Sequence, residues 1–179
     1  GLAPIIIYKY HPTRNGDATA DFFKNNPDGS YIMADGYAGY NKLKDFNRFC
    51  CYAHIRRYFI EAIPKGHEKD FTNPAVRGML YCNKLFEYER SYREKGLSYK
   101  QIYNRRQRDQ KPVVEAFLSW INNAPTTKGT RFDRAITYAK NQSSYMMTYL
   151  EDSHCSISNN MSENSIRPVT MGRKNWLGS

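Results

Sequence analysis

Ser30-Tyr31-Ile32-Met33-Ala34-Asp35-Gly36 is a short β-prone run that ends on a carboxylate and a turn dipeptide. A strand over Ser30 to Ala34 puts Asp35 at its C-terminal end, where α/β sheets tend to present functional groups. Immediately upstream, Asn26-Pro27-Asp28-Gly29 is strong turn chemistry and terminates a short helix that Asp17 can cap and that carries Phe22 and Phe23. Further upstream, Ile5-Ile6-Ile7-Tyr8-Lys9-Tyr10 is β-branched and aromatic, with no breaker before His11-Pro12, and predicts a central strand. Because the chain opens so directly on this apolar run, a partner strand is expected before it. Downstream, Arg48 to Tyr52 predicts a further short strand.

Beyond that point the pattern turns helical. Ile55, Tyr58, Phe59, Ala62 and Ile63 recur on one helical face until Pro64, leaving Arg56 and Arg57 off the apolar stripe. Asn73-Pro74 is an N-cap and first-turn pair for a long helix towards Lys95-Gly96, and Ser98 with Gln101 forms a capping-box signature. Helices are expected over Val113 to Ile121, from Thr130 and Asp133 to about Asn141, and over Tyr145 to Leu150. Asn159-Asn160 signals one more helix start. Strands first, then a helical block, then a short return imply an α/β fold with helices inserted into it. The expected boundaries are 1–63, 64–152 and 153–179.

The chain has 179 residues, enough for one substantial core, and a formal net charge of +10 that asks for an anionic partner. The stretch from Pro74 to Lys111 carries ten Lys or Arg against four Asp or Glu and is a candidate DNA-facing surface. No apolar run is long enough to span a bilayer, which argues against a membrane protein. The four cysteines (Cys50, Cys51, Cys82, Cys155) form no CxxC pair and read as reduced cytosolic thiols. Cys51 with His54 supplies too few ligands for zinc.

Four segments in order resemble the insertion-sequence-66 family of bacterial transposases. They are Tyr31-Ile32-Met33-Ala34-Asp35-Gly36-Tyr37-Ala38-Gly39-Tyr40-Asn41, Cys51-Tyr52-Ala53-His54-Ile55-Arg56-Arg57-Tyr58-Phe59, Asn159-Asn160-Met161-Ser162-Glu163-Asn164-Ser165-Ile166-Arg167-Pro168 and Gly172-Arg173-Lys174-Asn175-Trp176-Leu177. The resemblance implies a ribonuclease-H-like core with a large helical insertion and a DDE-type site that cuts and joins mobile-element ends. Asp35 and Glu163 would be the second and third acids, both catalytic and both ligands of Mg²⁺ or Mn²⁺. The family's first Asp falls upstream of Gly1, so this stretch alone is expected to be inactive, with metal bound only in the intact domain. Implied partners are the element ends, target DNA and further transposase copies, in a bacterial cytoplasm and close to the nucleoid. The family usually has Trp where Tyr52 stands and Arg where Asn164 stands.

Each site residue also has an ordinary reading. Asp35-Gly36 is a turn dipeptide. Glu163 sits three residues after Asn160, a good N-cap, and four before Arg167, so it could complete a capping box or an i,i+4 pair. His54 could contact a phosphate or be a structural residue, and Arg56 and Arg57 could grip DNA or form a solvated face. Asn160 and Arg167 remain candidates for DNA contact within the Glu163 segment. Arg173, Lys174 and Trp176 combine charge with a stacking platform, although a Trp there could equally be core. The competing class is a non-catalytic, basic DNA-binding module.

Overall fold

The computed structural model describes residues 16–160, apart from Tyr37, Lys44 and the side chain of Ala38. The expected strand Ile5–Tyr10 and the segments bearing Glu163, Arg167, Arg173, Lys174 and Trp176 lie outside the described residues. Among those described, the fold is mixed α/β and mostly helical, with a two-stranded parallel sheet.

Helix α1 (Gly16–Phe23) leads through a turn to β1 (Ser30–Ala34). Gly29 supports that turn with a left-handed φ of 77°. A 3-10 turn (Ala38–Lys42) then returns the chain to β2 (Phe46–Cys50), which pairs in parallel with β1 from Ser30↔Phe46 to Ala34↔Cys50. The second strand therefore starts and stops two residues earlier than the sequence predicts. Cys51 is instead the N-cap of α2 (Tyr52–Ala62), and the Tyr52 N–H donates to the Ile157 carbonyl at 3.0 Å. That contact from a segment 105 residues away withdraws Tyr52 from a strand, which local β propensity could not reveal.

Local capping chemistry sets the remaining helices. Asn73 accepts from the Ala75 N–H to open α3 (Pro74–Glu94), Ser98 and Gln101 form a reciprocal capping box at α4 (Tyr99–Arg105), and Thr130 caps α6 (Arg131–Gln142). The expected Val113–Ile121 helix is longer, running from Lys111 to Asn123 as α5. It continues directly from α4 through a π-helical turn at Arg106–Gln110. Pro112, which has no N–H to give the helical ladder, follows that π-helical turn almost directly. Tyr145 to Leu150 forms two 3-10 turns (Ser143–Tyr145 and Thr148–Leu150) in place of the expected helix.

One apolar cluster joins the sheet, the helices and the return segment: Phe49 of β2, Phe59 of α2, Leu85 of α3, Phe117 of α5, Ile136 of α6 and Ile157 all belong to it. All four cysteines are buried free thiols. No helix among the described residues is long and apolar enough to cross a membrane.

Helices α2 and α3 pack tightly at Gly78, where an added Cβ would run into the Phe59 ring. Gly78→Ala is therefore expected to destabilise the chain by about 1–3 kcal/mol through overpacking. That cost stands against the roughly 1 kcal/mol that alanine usually gains over glycine inside a helix. A urea midpoint equal to or above the parent's would show that Phe59 can move aside.

Candidate functional site

Parallel pairing brings the C-terminal ends of β1 and β2 together. Ala34↔Cys50 is the last pair, so Asp35 and Cys51 leave the sheet side by side, about 4.8 Å apart by ordinary strand spacing. Asp35 is half-buried there. Arg48, inside β2, fixes its main chain: Nη2 donates to the Asp35 carbonyl at 3.0 Å and Nη1 to Asn41 Oδ1 at 2.8 Å. The guanidinium also lies 4.3 Å from the Tyr145 ring centroid. Sequence reading missed Arg48, whose only signal is an arginine inside a strand that the fold buries.

Gly36 rests on α6. A Cβ at Gly36 would lie 2.7 Å from Tyr138 Cε2 and 3.2 Å from Gln142 Nε2, so the Asp-Gly turn needs glycine for close approach. Burial raises the Tyr138 phenol, a hydrogen bond with the Gly36 backbone opposes it and the Asp35 charge adds to it, leaving the phenol pushed up to about 12. Tyr138 is thus a neutral hydroxyl beside the Asp35 turn at physiological pH.

On the β2 side, Cys51 meets the return segment. Its Sγ–H donates to Asn159 Oδ1 at 3.0 Å and accepts from the Asn159 N–H at 3.5 Å. Burial raises the Cys51 thiol, but hydrogen bonds with His54 and with the backbone of Asn159 and His54 outweigh it and bring the thiol below its ordinary value. His54 is half-buried in the first turn of α2, against Cys51. Tyr52 is fully buried, and its hydroxyl donates to the Met146 carbonyl at 2.9 Å, so a tyrosine serves where the resemblance leads one to expect tryptophan. Asn160, exposed, follows this contact directly.

The two arginines of the Arg56-Arg57 pair part company. Arg56 Nε donates to Asn83 Oδ1 of α3 and helps clamp α2 to α3, whereas Arg57 is exposed and pairs with Glu61 at 3.8 Å. In the basic stretch from Pro74 to Lys111, Arg106 is buried, and Arg105 and Arg108 both pair with Asp109. Much of that local charge is spent within the fold. No three His, Cys, Asp or Glu side chains among the described residues stand close enough to hold a metal ion.

The family model for the transposase IS66 family matches residues 2–179. The chain belongs to the IS66 transposase family. Two curated relatives, both from Sinorhizobium fredii (strain NBRC 101917 / NGR234), carry the names uncharacterized protein y4hP and uncharacterized protein y4qI. They are 26% and 24% identical to this IS66-family chain, each over 97% of its length. The chain spans only 34% and 33% of those proteins, about a third of each. No solved structure matches it.

Losing Arg48 should free the loop that carries Asp35. Arg48→Ala removes two charge-assisted hydrogen bonds and is expected to cost roughly 1.5–3 kcal/mol, with faster amide exchange around Gly36. Unchanged exchange there would show that the turn is held by α6 alone.

Proposed function

We propose that this segment is part of the catalytic domain of an IS66-family transposase that cleaves and joins phosphodiesters at mobile-element ends, with Asp35 and Glu163 as metal ligands. The observation that carries the reading is the docking of Asn159 on Cys51, beside the strand end that bears Asp35. Glu163 follows Asn159 by four residues, a stretch of chain that cannot exceed about 14 Å even when fully extended. The chain thus limits how far Glu163 can lie from the docked Asn159, although 128 residues separate Glu163 from Asp35 in sequence.

The donor chemistry suits Mg²⁺ or Mn²⁺, because such ions take carboxylate oxygens and leave other positions for water and phosphate. Bound there, divalent cations would supply charge stabilisation to the attacking and leaving oxygens. The residues of this chain have simpler tasks. Asp35 orients an oxygen donor at the strand end, Arg48 fixes its backbone, and Tyr138 keeps a protonated hydroxyl beside the turn. A ribonuclease-H-like core would extend the two-stranded sheet through Ile5–Tyr10, with 64–152 as the helical insertion and 153–179 as the return.

The test is Mg²⁺- or Mn²⁺-dependent cleavage of element ends by a full-length transposase containing this segment. Wild-type rates in both Asp35→Ala and Glu163→Ala variants would remove the assignment. They would favour a basic DNA-binding module whose acids are only turns and caps.

A further inference from the structure

Helices α2 and α6 lie together and frame a polar cleft of about 450 Å³, lined by Tyr58, Glu61, Arg131 and Arg134. Arg131 and Arg134 are both exposed. Arg131 Nη1 donates to the Glu61 carbonyl at 3.4 Å, and neither arginine forms an ion pair among the described residues. Arg57 stands on the same side of α2 and pairs with Glu61 only at 3.8 Å. Arg57 thus pairs with the Glu61 carboxylate, while Arg131 and Arg134 share the cleft with Glu61.

The cleft leads to the Asp35 turn. Arg131, Arg134, Tyr138 and Gln142 recur at helical spacing along α6, and the last two are the residues on which Gly36 packs. Tyr58 joins the two ends: its ring stacks on that of Tyr138 with centroids 4.2 Å apart and planes 18° from parallel. From Arg131 to Tyr138 is seven residues, about 10 Å along the helix axis. That is the length of about three base pairs of duplex at 3.4 Å each. Cationic groups that are not neutralised, next to a paired aromatic wall, are what a phosphodiester backbone asks of a protein surface.

We propose that the α2/α6 face is a DNA-backbone track, with Arg131 and Arg134 gripping successive phosphates and the Tyr58–Tyr138 stack guiding the strand to Asp35. The proposal rests on the transposase reading only for its direction, that is, for which end of the track the reacting phosphate occupies. Glu61 then acts as a brake on affinity. Its carboxylate repels the same phosphates that its neighbours attract.

The experiment is metal-free binding of this chain to a fluorescent duplex across a salt series, comparing Arg131→Gln/Arg134→Gln with Arg90→Gln/Arg93→Gln. The second pair removes equal charge from exposed positions on α3. Each lost phosphate contact lowers the slope of log K against log salt by roughly 0.9, so the α6 double variant should flatten it by about 2 and the α3 pair should leave it nearly unchanged. Glu61→Gln should tighten binding several-fold. Helical content by circular dichroism confirms that each variant is folded. Equal losses from the two double variants would mean that the positive charge acts diffusely and would overturn the track, as would parental slopes in both. Since no metal is present, failure of the Asp35 assignment would leave these slopes untouched, and failure of the track would leave metal-dependent cleavage untouched.

Discussion

Arg106→Ala is expected to lower the stability of the chain by roughly 3–5 kcal/mol, the usual cost of stranding one partner of a buried ion pair. Arg106 is 2% exposed and forms a two-pronged bond to Glu89, Nε to Oε1 at 2.8 Å and Nη2 to Oε2 at 2.9 Å. Its remaining donors reach the carbonyls of Tyr149, Asp152 and Cys155 at 2.8–3.0 Å. Gln110 donates to the same Glu89 and accepts from the Tyr149 hydroxyl, so one network unites α3, the π-helical turn and the return segment. Alanine would leave the Glu89 carboxylate without its cation and three carbonyls without this donor. Lysine would not rescue it, because a single ammonium cannot match a planar fork with five N–H groups. Chemical denaturation measures the loss directly. A cost under about 1 kcal/mol would mean that the network is not formed in solution.

The second large effect is on chemistry. In a full-length transposase, Asp35→Asn is expected to cut the rate of end cleavage by about a thousandfold or more. Metal-borne charge stabilisation is worth several kcal/mol, and each 1.36 kcal/mol is tenfold in rate. The amide keeps the size of the side chain and the main-chain bond from Arg48, which uses the Asp35 carbonyl and not its carboxylate. Stability should therefore change little while activity falls. Asp35→Cys sharpens the test, because a thiolate is a poor ligand for Mg²⁺ and a better one for softer ions. Partial recovery in Mn²⁺ but not in Mg²⁺ would identify a direct ligand. Equal loss in both ions, together with a lowered denaturation midpoint, would point to a structural role.

What could be read from the sequence was local chemistry. The Asn73-Pro74 start, the Ser98/Gln101 box and the Thr130 cap all fall where the sequence places them, because each depends on residues within one turn. The strand Ser30–Ala34 and the turn at Asp35 were legible for the same reason. What could not be read depends on partners far along the chain. Arg106 fell within the stretch read as DNA-facing and Arg48 read only as the start of a strand, because Glu89, Tyr149 and the Asp35 carbonyl are 13 to 43 residues away. The early end of β2 and the contact of Cys51 with Asn159 have the same origin. At the candidate site itself, the sequence singles out Asp35 but not the arginine and tyrosine that hold and flank its turn. Nor does it single out Arg131 and Arg134.

The Cys51–Asn159 contact joins residues 108 apart, and this has a consequence in time. Closing so long a loop from a disordered chain costs about 4 kcal/mol on the logarithmic scale for flexible chains. If α3 to α6 form first, from contacts close in sequence, the ordered helices hold the two ends near each other and most of that cost has already been met. The strand end bearing Asp35 is synthesised early, yet the partner that docks beside it arrives only after the whole helical block. A growing chain would thus carry an incomplete site until that block is in place, and assembly of the site would report on completion of the fold.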